Sequence, residues 1–234
     1  RFDPTAKVGW TPLYSLTNER SRWLPAALCY FGYRIPEGGR ASSFAFSCSN
    51  GCASGNTLEE AILQGILELV ERDATAIWWY NRLRRPAVDL ASFQDPYFDR
   101  VTRSCAALGR TLSVLDLTTD LGIPVYVAIS SREDRGDLIC MGLGCHLEPR
   151  LAISRAISEL TQTLVTERTF KEAAASGRKD DLALWSRHAT LETEPYAVPQ
   201  EGAMVTAHDV RDLSTGDIAS DVAACAARFA EGKG

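Results

Sequence analysis

The sequence has only three histidines, His146, His188 and His208, and no two stand at metal-ligand spacing. It has no HExxH for a zinc protease, no GxSxG elbow, no GxxxxGK[ST] phosphate loop and no kinase signature. No apolar run reaches the roughly 18 residues a membrane span needs, and there is no signal-peptide core or lipidation signal. Positive charge is outnumbered, with 25 Lys and Arg against 30 Asp and Glu. A net charge of −5 and a pI near 5.3 argue against a nucleic-acid binder held by phosphate contacts. The seven cysteines are odd in number and scattered, as for reduced, mostly buried thiols of a cytosolic protein. Cys48 and Cys52 stand four apart without the second pair that a zinc site would need. The first residue is not Met, and the last helix ends with no strand to follow. The expectation is therefore one domain over residues 1–234, incomplete at both ends.

What is present is enough for a sizeable core, with 45% hydrophobic and 24% charged residues in 234. Residues 8–33 read as two short strands joined by the polar turn Thr17–Arg20, the hairpin ending at Tyr30–Tyr33. Residues 35–42 read as a loop, and Ser43–Cys48 as a strand. A long helix is predicted to about Asn81, with Trp78, Trp79 and Tyr80 in the core, and RRPAVDLASF as a loop forced by Pro86. Asp95–Leu108 reads as a helix capped by Gly109. Leu112–Asp116, Pro124–Ser130 and Leu138–Met141 read as strands, with a surface loop over Ser131–Asp137. Pro149 opens a helix to about Thr166. Glu167–Asp181 reads as a mobile loop, and Asp217–Glu231 as a last helix.

The organising stretch is Ser49–Ala74, a Gly-rich turn running into the long helix. Thr57 is placed to cap it, with Glu60 reaching back to the Thr57 backbone as in a capping box. Against an apolar background, Glu60, Gln64, Glu68 and Glu71 fall within a stripe of about 80°. Such a stripe is either the solvated edge of the helix or the lining of a cavity that holds charge. The stretch has an echo. AILQGILELVE aligns with AISRAISELTQ, each after a short strand and a Gly-bearing turn, SNGCASGN and GLGCHLEP. Glu68 with Glu71, and Glu159 with Gln162, share a helix face at i, i+3. Acids from two helices meeting in one cavity repel unless a cation neutralises them. A hard cation such as Mg²⁺ takes oxygen ligands and bridges carboxylates to nucleotide phosphates. Spacing alone leaves both the solvated face and the metal–nucleotide site open.

At these residues the sequence resembles the YcaO family. SNGCASGNTLEEAILQGILELVERDA is similar to its ATP-site signature SxxxExxER, and GLGCHLEPRLAISRAISELTQ to its SxxxExxQ signature. WWYNRLRRPAVDL, LDLTTDLGIPVYVAIS and ATLETEPYAVP resemble the azoline-forming branch, which makes thiazole- and oxazole-modified peptides. The resemblance implies an α+β fold of mixed sheets flanked by helices and a cytoplasmic, ATP- and Mg²⁺-dependent cyclodehydratase. In such enzymes a Cys, Ser or Thr of a ribosomal precursor peptide attacks the preceding carbonyl. ATP phosphorylates the resulting oxygen, and loss of phosphate leaves a thiazoline or oxazoline. Carried over by position, Glu68, Glu71, Glu159 and Gln162 are expected as Mg²⁺ ligands, direct or through water. Arg72 is expected to orient Glu68 or contact phosphate, and Asn50, Gly51 and Ser54 to approach the nucleotide. No residue is assigned as catalytic acid or base.

Two positions depart from the pattern, since the leading serine is Gln64 in the first motif and Arg155 in the second. Gln64 can still hydrogen-bond in the cavity, and Arg155 either contacts phosphate or pairs with Glu159 at i+4. The family's further nucleotide contacts before this stretch, its later Arg/Glu pair and a proline-rich tail do not match any segment here. His146 matches a position common in the family and is read as packing in the core or the turn. Expected partners are a leader-binding ubiquitin-activating-like protein, a flavin-dependent azoline dehydrogenase and a second copy in a homodimer. Rival readings are thioamide or amidine formation by the same phosphorylation, and a non-catalytic scaffold.

Overall fold

A computed structural model describes residues 8–34, 47–175, 185, 188–202 and 204–231. The chain divides into two compact units, one formed by residues up to Gly65 with the segment from Ile218, the other by Ile66–Asp217. In the first, β1 (Trp10–Ser15) and β2 (Arg20–Pro25) form an antiparallel hairpin with Trp10 opposite Pro25. The hairpin ends at Pro25, not at Tyr30–Tyr33. Proline has no N–H to extend the ladder, and the next four residues make a helical turn, α1 (Ala26–Cys29), tied by Ala26 N–H to Gly9 O at 2.8 Å. The loop and most of the strand predicted over 35–48 lie outside the described residues, and Ser47 and Cys48 are in no strand.

The predicted Gly turn is present. Cys52 N–H donates to Ser49 O at 2.9 Å, and Gly51 takes φ +76, the left-handed conformation that glycine adopts without strain. A Cβ on Gly65 would stand 2.8 Å from Gly51 O, so the turn lies against the start of α2 (Leu58–Asn81). Half of the capping box forms as predicted, Glu60 N–H donating to Thr57 Oγ1 at 3.2 Å. The return half shifts by one residue. The Glu60 carboxylate accepts from Asn56, backbone at 2.7 Å and side chain at 3.1 Å, instead of from Thr57. The last helix, α5 (Ile218–Glu231), completes this unit.

The second unit is built on a five-stranded mixed sheet. Its strands are β3 (Ala87–Val88), β4 (Ser113–Asp116), β5 (Val125–Ser130), β6 (Cys140–Cys145) and β7 (Met204–Val205), in the order β6-β5-β4-β3-β7. All neighbours are antiparallel except β3 with β7. The helices α3 (Pro96–Ala107) and α4 (Pro149–Ala175) share a core with it, where Phe98, Ile153, Ala156 and Leu160 meet Val114, Tyr126 and Ala128. The α+β class therefore holds. β3 lies inside the predicted loop, because a two-residue strand carries no period and exists only through its partners. Leu138, predicted to begin a strand, is left-handed at φ +52, and pairing starts at Cys140. The strand then runs through the GLGC predicted as a turn, so the second half of the echo is strand and helix without a Gly turn between them. Helix α4 extends nine residues into the predicted loop, to Ala175, as the Ala, Glu and Lys content of that stretch favours. The remainder of that loop, residues 176–181, lies outside the described residues.

Asp95 ties the two helices together. Its Oδ1 accepts from Tyr97 N–H at 2.8 Å, capping α3, and its Oδ2 from Arg150 Nε at 2.6 Å, in the first turn of α4. The Tyr97 N–H and the Arg150 guanidinium hold this buried carboxyl below the usual Asp range. A depressed pKa adds stability above the unfolded value, lost as the pH falls through the folded one. Asp95→Ala is expected to cost about 1–2 kcal/mol at neutral pH, the usual range for a lost cap. Unfolding measured at pH 7 and pH 3 should show the gap between wild type and variant narrowing in acid.

Candidate functional site

Helix α2 enters the second unit at Ile66 and buries Leu67, Val70, Ala74 and Trp78. Its far end is anchored by Trp78 Nε1 donating to Tyr196 O at 3.2 Å and by the Arg82–Glu194 ion pair at 3.1 Å. Trp78 is core as predicted, whereas Tyr80 is 82% exposed, because it falls on the opposite side of the helix. Glu68, Glu71 and Arg72 lie between these apolar positions. Arg72 Nε donates to Glu68 Oε1 at 3.0 Å, and its Nη2 to Glu71 Oε1 at 2.8 Å. The Glu71 side chain keeps 13% of its surface, Glu68 26% and Arg72 38%. The stripe is thus no open solvated face.

The second motif is set by two glycines. A Cβ on Gly142 would run into Leu160 N and Ala156 O, and one on Gly144 into Ala152 O, so α4 lies backbone to backbone on β6. Three α4 side chains then close the outer edge of that strand. Arg155 Nη1 donates to Cys145 O at 3.1 Å, Glu159 Oε2 accepts from Leu143 N–H at 2.7 Å, and Thr163 Oγ1 donates to Met141 O at 3.1 Å. Four helix residues rise about 6 Å and two strand residues about 7 Å, so the two repeats keep step. An open strand edge is covered, and Glu159 is fixed by a charge-assisted bond.

The two helices meet electrostatically at Glu71. Burial, opposed by the adjacent Arg72, pushes its carboxyl up, the fields of Glu159 and Glu68 push it further, and Arg155 pulls it back, leaving it at about 7. Glu159 therefore crowds an acid that stands 88 residues away in sequence. The structure brings Glu68, Glu71, Arg72, Arg155 and Glu159 into one neighbourhood. Gln162 lies one turn beyond Glu159 and is exposed. Asn50, Ser54 and Gln64 belong to the first unit, the first two exposed in the turn and Gln64 half-buried. His146 takes the turn role read for it, its Nδ1 accepting from Glu148 N–H at 3.0 Å. Sequence reasoning passed over Thr163 and the Leu143 N–H. The available signal was glycines at alternate strand positions facing Ala152 and Ala156 four apart, a pattern that marks close backbone approach.

Two carboxylates joined by one arginine, with the field of a third reaching Glu71, fit a hard dication better than a neutral ligand. Among the described residues no three His, Cys, Asp or Glu side chains form a ready metal cage. Mg²⁺ does not require one, since it keeps several waters and takes one or two carboxylates beside substrate phosphates. The chemistry of these residues is therefore compatible with a metal-bound polyphosphate.

Known proteins carry the same arrangement of chain. A protein in the tfuA 3′ region of Rhizobium leguminosarum bv. trifolii is 41% identical over 145 residues, covering 58% of this chain and 33% of its own. A heterocyclase solved in complex with substrate and cofactor superposes with a TM-score of 0.88 at 42% identity, covering 100% of this chain and 31% of its own. The heterocyclase TruD gives 0.83 at 43% identity, covering 99% and 32%. The matches thus cover about a third of the length of each of these proteins. A family model described as YcaO cyclodehydratase, ATP- and Mg²⁺-binding, matches residues 1–233, and the chain belongs to that family.

Proposed function

We propose that the protein containing this chain converts Cys, Ser or Thr residues of a ribosomally made precursor peptide into thiazolines or oxazolines, in the cytoplasm, at the expense of ATP. The observation that carries this reading is the crowding of Glu71 by Glu159 from a second helix, an arrangement suited to a cation. The likeness to two heterocyclases above 40% identity supports the ring-forming branch over thioamide or amidine formation. Bound Mg²⁺–ATP would supply the phosphoryl group that makes an amide oxygen a leaving group. The chain's own part is to hold the charges. Glu68, Glu71, Glu159 and Gln162 take the metal, directly or through water. Arg72 and Arg155 offer guanidinium donors to phosphate, which they match as flat forks. Asn50, Ser54 and Gln64 are candidate nucleotide contacts by their motif positions alone. A precursor peptide, a leader-binding ubiquitin-activating-like partner, a flavin-dependent azoline dehydrogenase and a homodimer belong to the same proposal. No helix among the described residues is long and apolar enough to cross a membrane.

The test uses the full-length protein with a Cys/Ser/Thr-rich peptide and its partner. Phosphate release should require Mg²⁺, and each modified residue should lose the mass of one water. A gain in mass from oxygen-to-sulfur exchange would identify the thioamide chemistry instead. Glu159→Gln should lower phosphate release about 100-fold, the usual scale for one transition-state electrostatic contact. Unchanged release in that variant would leave a non-catalytic role.

A further inference from the structure

The contact between Arg72 and the two acids of its helix is of an unusual kind. Nε–H and the nearer Nη2–H of a guanidinium point the same way and ordinarily fork both oxygens of one carboxylate. Here that edge is divided between two carboxylates, Glu68 Oε1 at 3.0 Å and Glu71 Oε1 at 2.8 Å. A cation shared by two acids is what a bound metal would be. The Arg72 side chain is 38% exposed, so it can swing outward without unpacking the core. Its stem stays on α2, one turn from Glu68, and therefore within reach of anything the acids come to hold.

Charge arithmetic gives the direction. Three acids, Glu68, Glu71 and Glu159, stand with two guanidiniums, Arg72 and Arg155. A dication added while Arg72 stays in place would turn this neighbourhood net positive in a half-buried space, which like charges resist. A polyphosphate arriving with the metal offers Arg72 another partner of the geometry it prefers. We infer that Arg72 is an exchangeable stand-in cation: it bridges Glu68 and Glu71, gives way to a divalent metal, and then turns to the nucleotide phosphates. The inference rests on the proposed nucleotide site and adds that metal and nucleotide load together because Arg72 changes partner. Arg72 is thus a positioning residue before loading and a phosphate contact after it.

Binding of Mn²⁺ alone and of Mn²⁺ with a non-hydrolysable ATP analogue, measured by calorimetry on the full-length protein, tests the exchange. Arg72→Lys keeps the charge but has no planar Nε–Nη edge and a shorter reach, so it holds the two acids less firmly and should bind Mn²⁺ alone about fivefold more tightly than wild type, the scale of one weakened ion pair. Arg72→Gln should do the same and bind the metal–nucleotide about tenfold more weakly, having lost one charge-assisted phosphate contact. In wild type labelled with nitrogen-15, the Arg72 Nε–H resonance should shift on adding metal with nucleotide. Equal Mn²⁺ affinity in wild type and Arg72→Lys, or an unmoved Arg72 resonance at saturation, would overturn the exchange while leaving the site intact. Wild type that binds neither Mn²⁺ nor analogue would instead remove the nucleotide site, and the exchange with it.

Discussion

Glu71→Gln is expected to make the metal-free protein more stable at pH 8 while lowering Mg²⁺-dependent phosphate release by about 100-fold or more. The two effects have one cause. Burial and the fields of Glu159 and Glu68 hold the Glu71 carboxyl at about 7 in the fold, against an unfolded value of 4.5. Between those values the native state binds more protons than the unfolded chain, so stability falls as the pH rises through the window. Above it, the ionised carboxylate costs about 3 kcal/mol, which glutamine, neutral and of the same shape, does not. For a chain of this size that corresponds to a rise in thermal midpoint of roughly 6–12 °C at pH 8. The gain should shrink as the pH falls through that window and vanish below about pH 4, where folded and unfolded wild type are both protonated. Metal reverses the sign, because a dication near Glu71 favours its charged form, so wild type should gain stability from Mg²⁺ with nucleotide and the variant should not. Unfolding at pH 4 and pH 8, with and without that ligand, checks all three statements. A variant less stable than wild type at pH 8 would show that Arg72 already offsets the crowding.

Gly142→Ala is expected to damage fold and site together. The added methyl would press on Leu160 N and Ala156 O, backbone atoms in a helix that can yield only by moving away from β6. Such overpacking costs about 3 kcal/mol or more. Lifting α4 also parts Glu159 from Leu143 N–H and Arg155 from Cys145 O, so nucleotide affinity should fall beyond what the lost stability explains. Gly109→Ala is the comparison. At φ +66 with open space around it, that change should cost only about 1 kcal/mol, from backbone strain alone, and leave binding unaltered. If the two variants melt alike and bind alike, close approach of α4 to the sheet is not what positions the second motif.

The sequence was most readable where one helix carries its own signals. The start of α2 at Thr57, the Asp95–Pro96 entry to α3 and Pro149 at the head of α4 were all legible, because capping needs only neighbours in the chain. The Gly-Leu-Gly strand was misread for the opposite reason. Glycine locally favours a turn, and only the helix pressed against it explains its place in a strand. β3 and β7 were invisible on the same ground, being two residues each and existing through pairing alone.

For the site, the sequence determined the inventory: two oxygen-bearing side chains at i, i+3 on each of two helices, an arginine after the first pair, and glycines before both. Family membership also follows from that inventory. Tertiary structure decided which charges meet. It placed Glu159 in the field of a nearly enclosed Glu71, and it fixed Glu159 on the edge of β6. The reason is physical: spacing sets the direction of a side chain about its own helix, whereas the field between two helices depends on their separation and on the water between them. The helix that opens at Thr57 is therefore legible as one half of a pair, and the pair acquires its electrostatics only when α4 closes on β6.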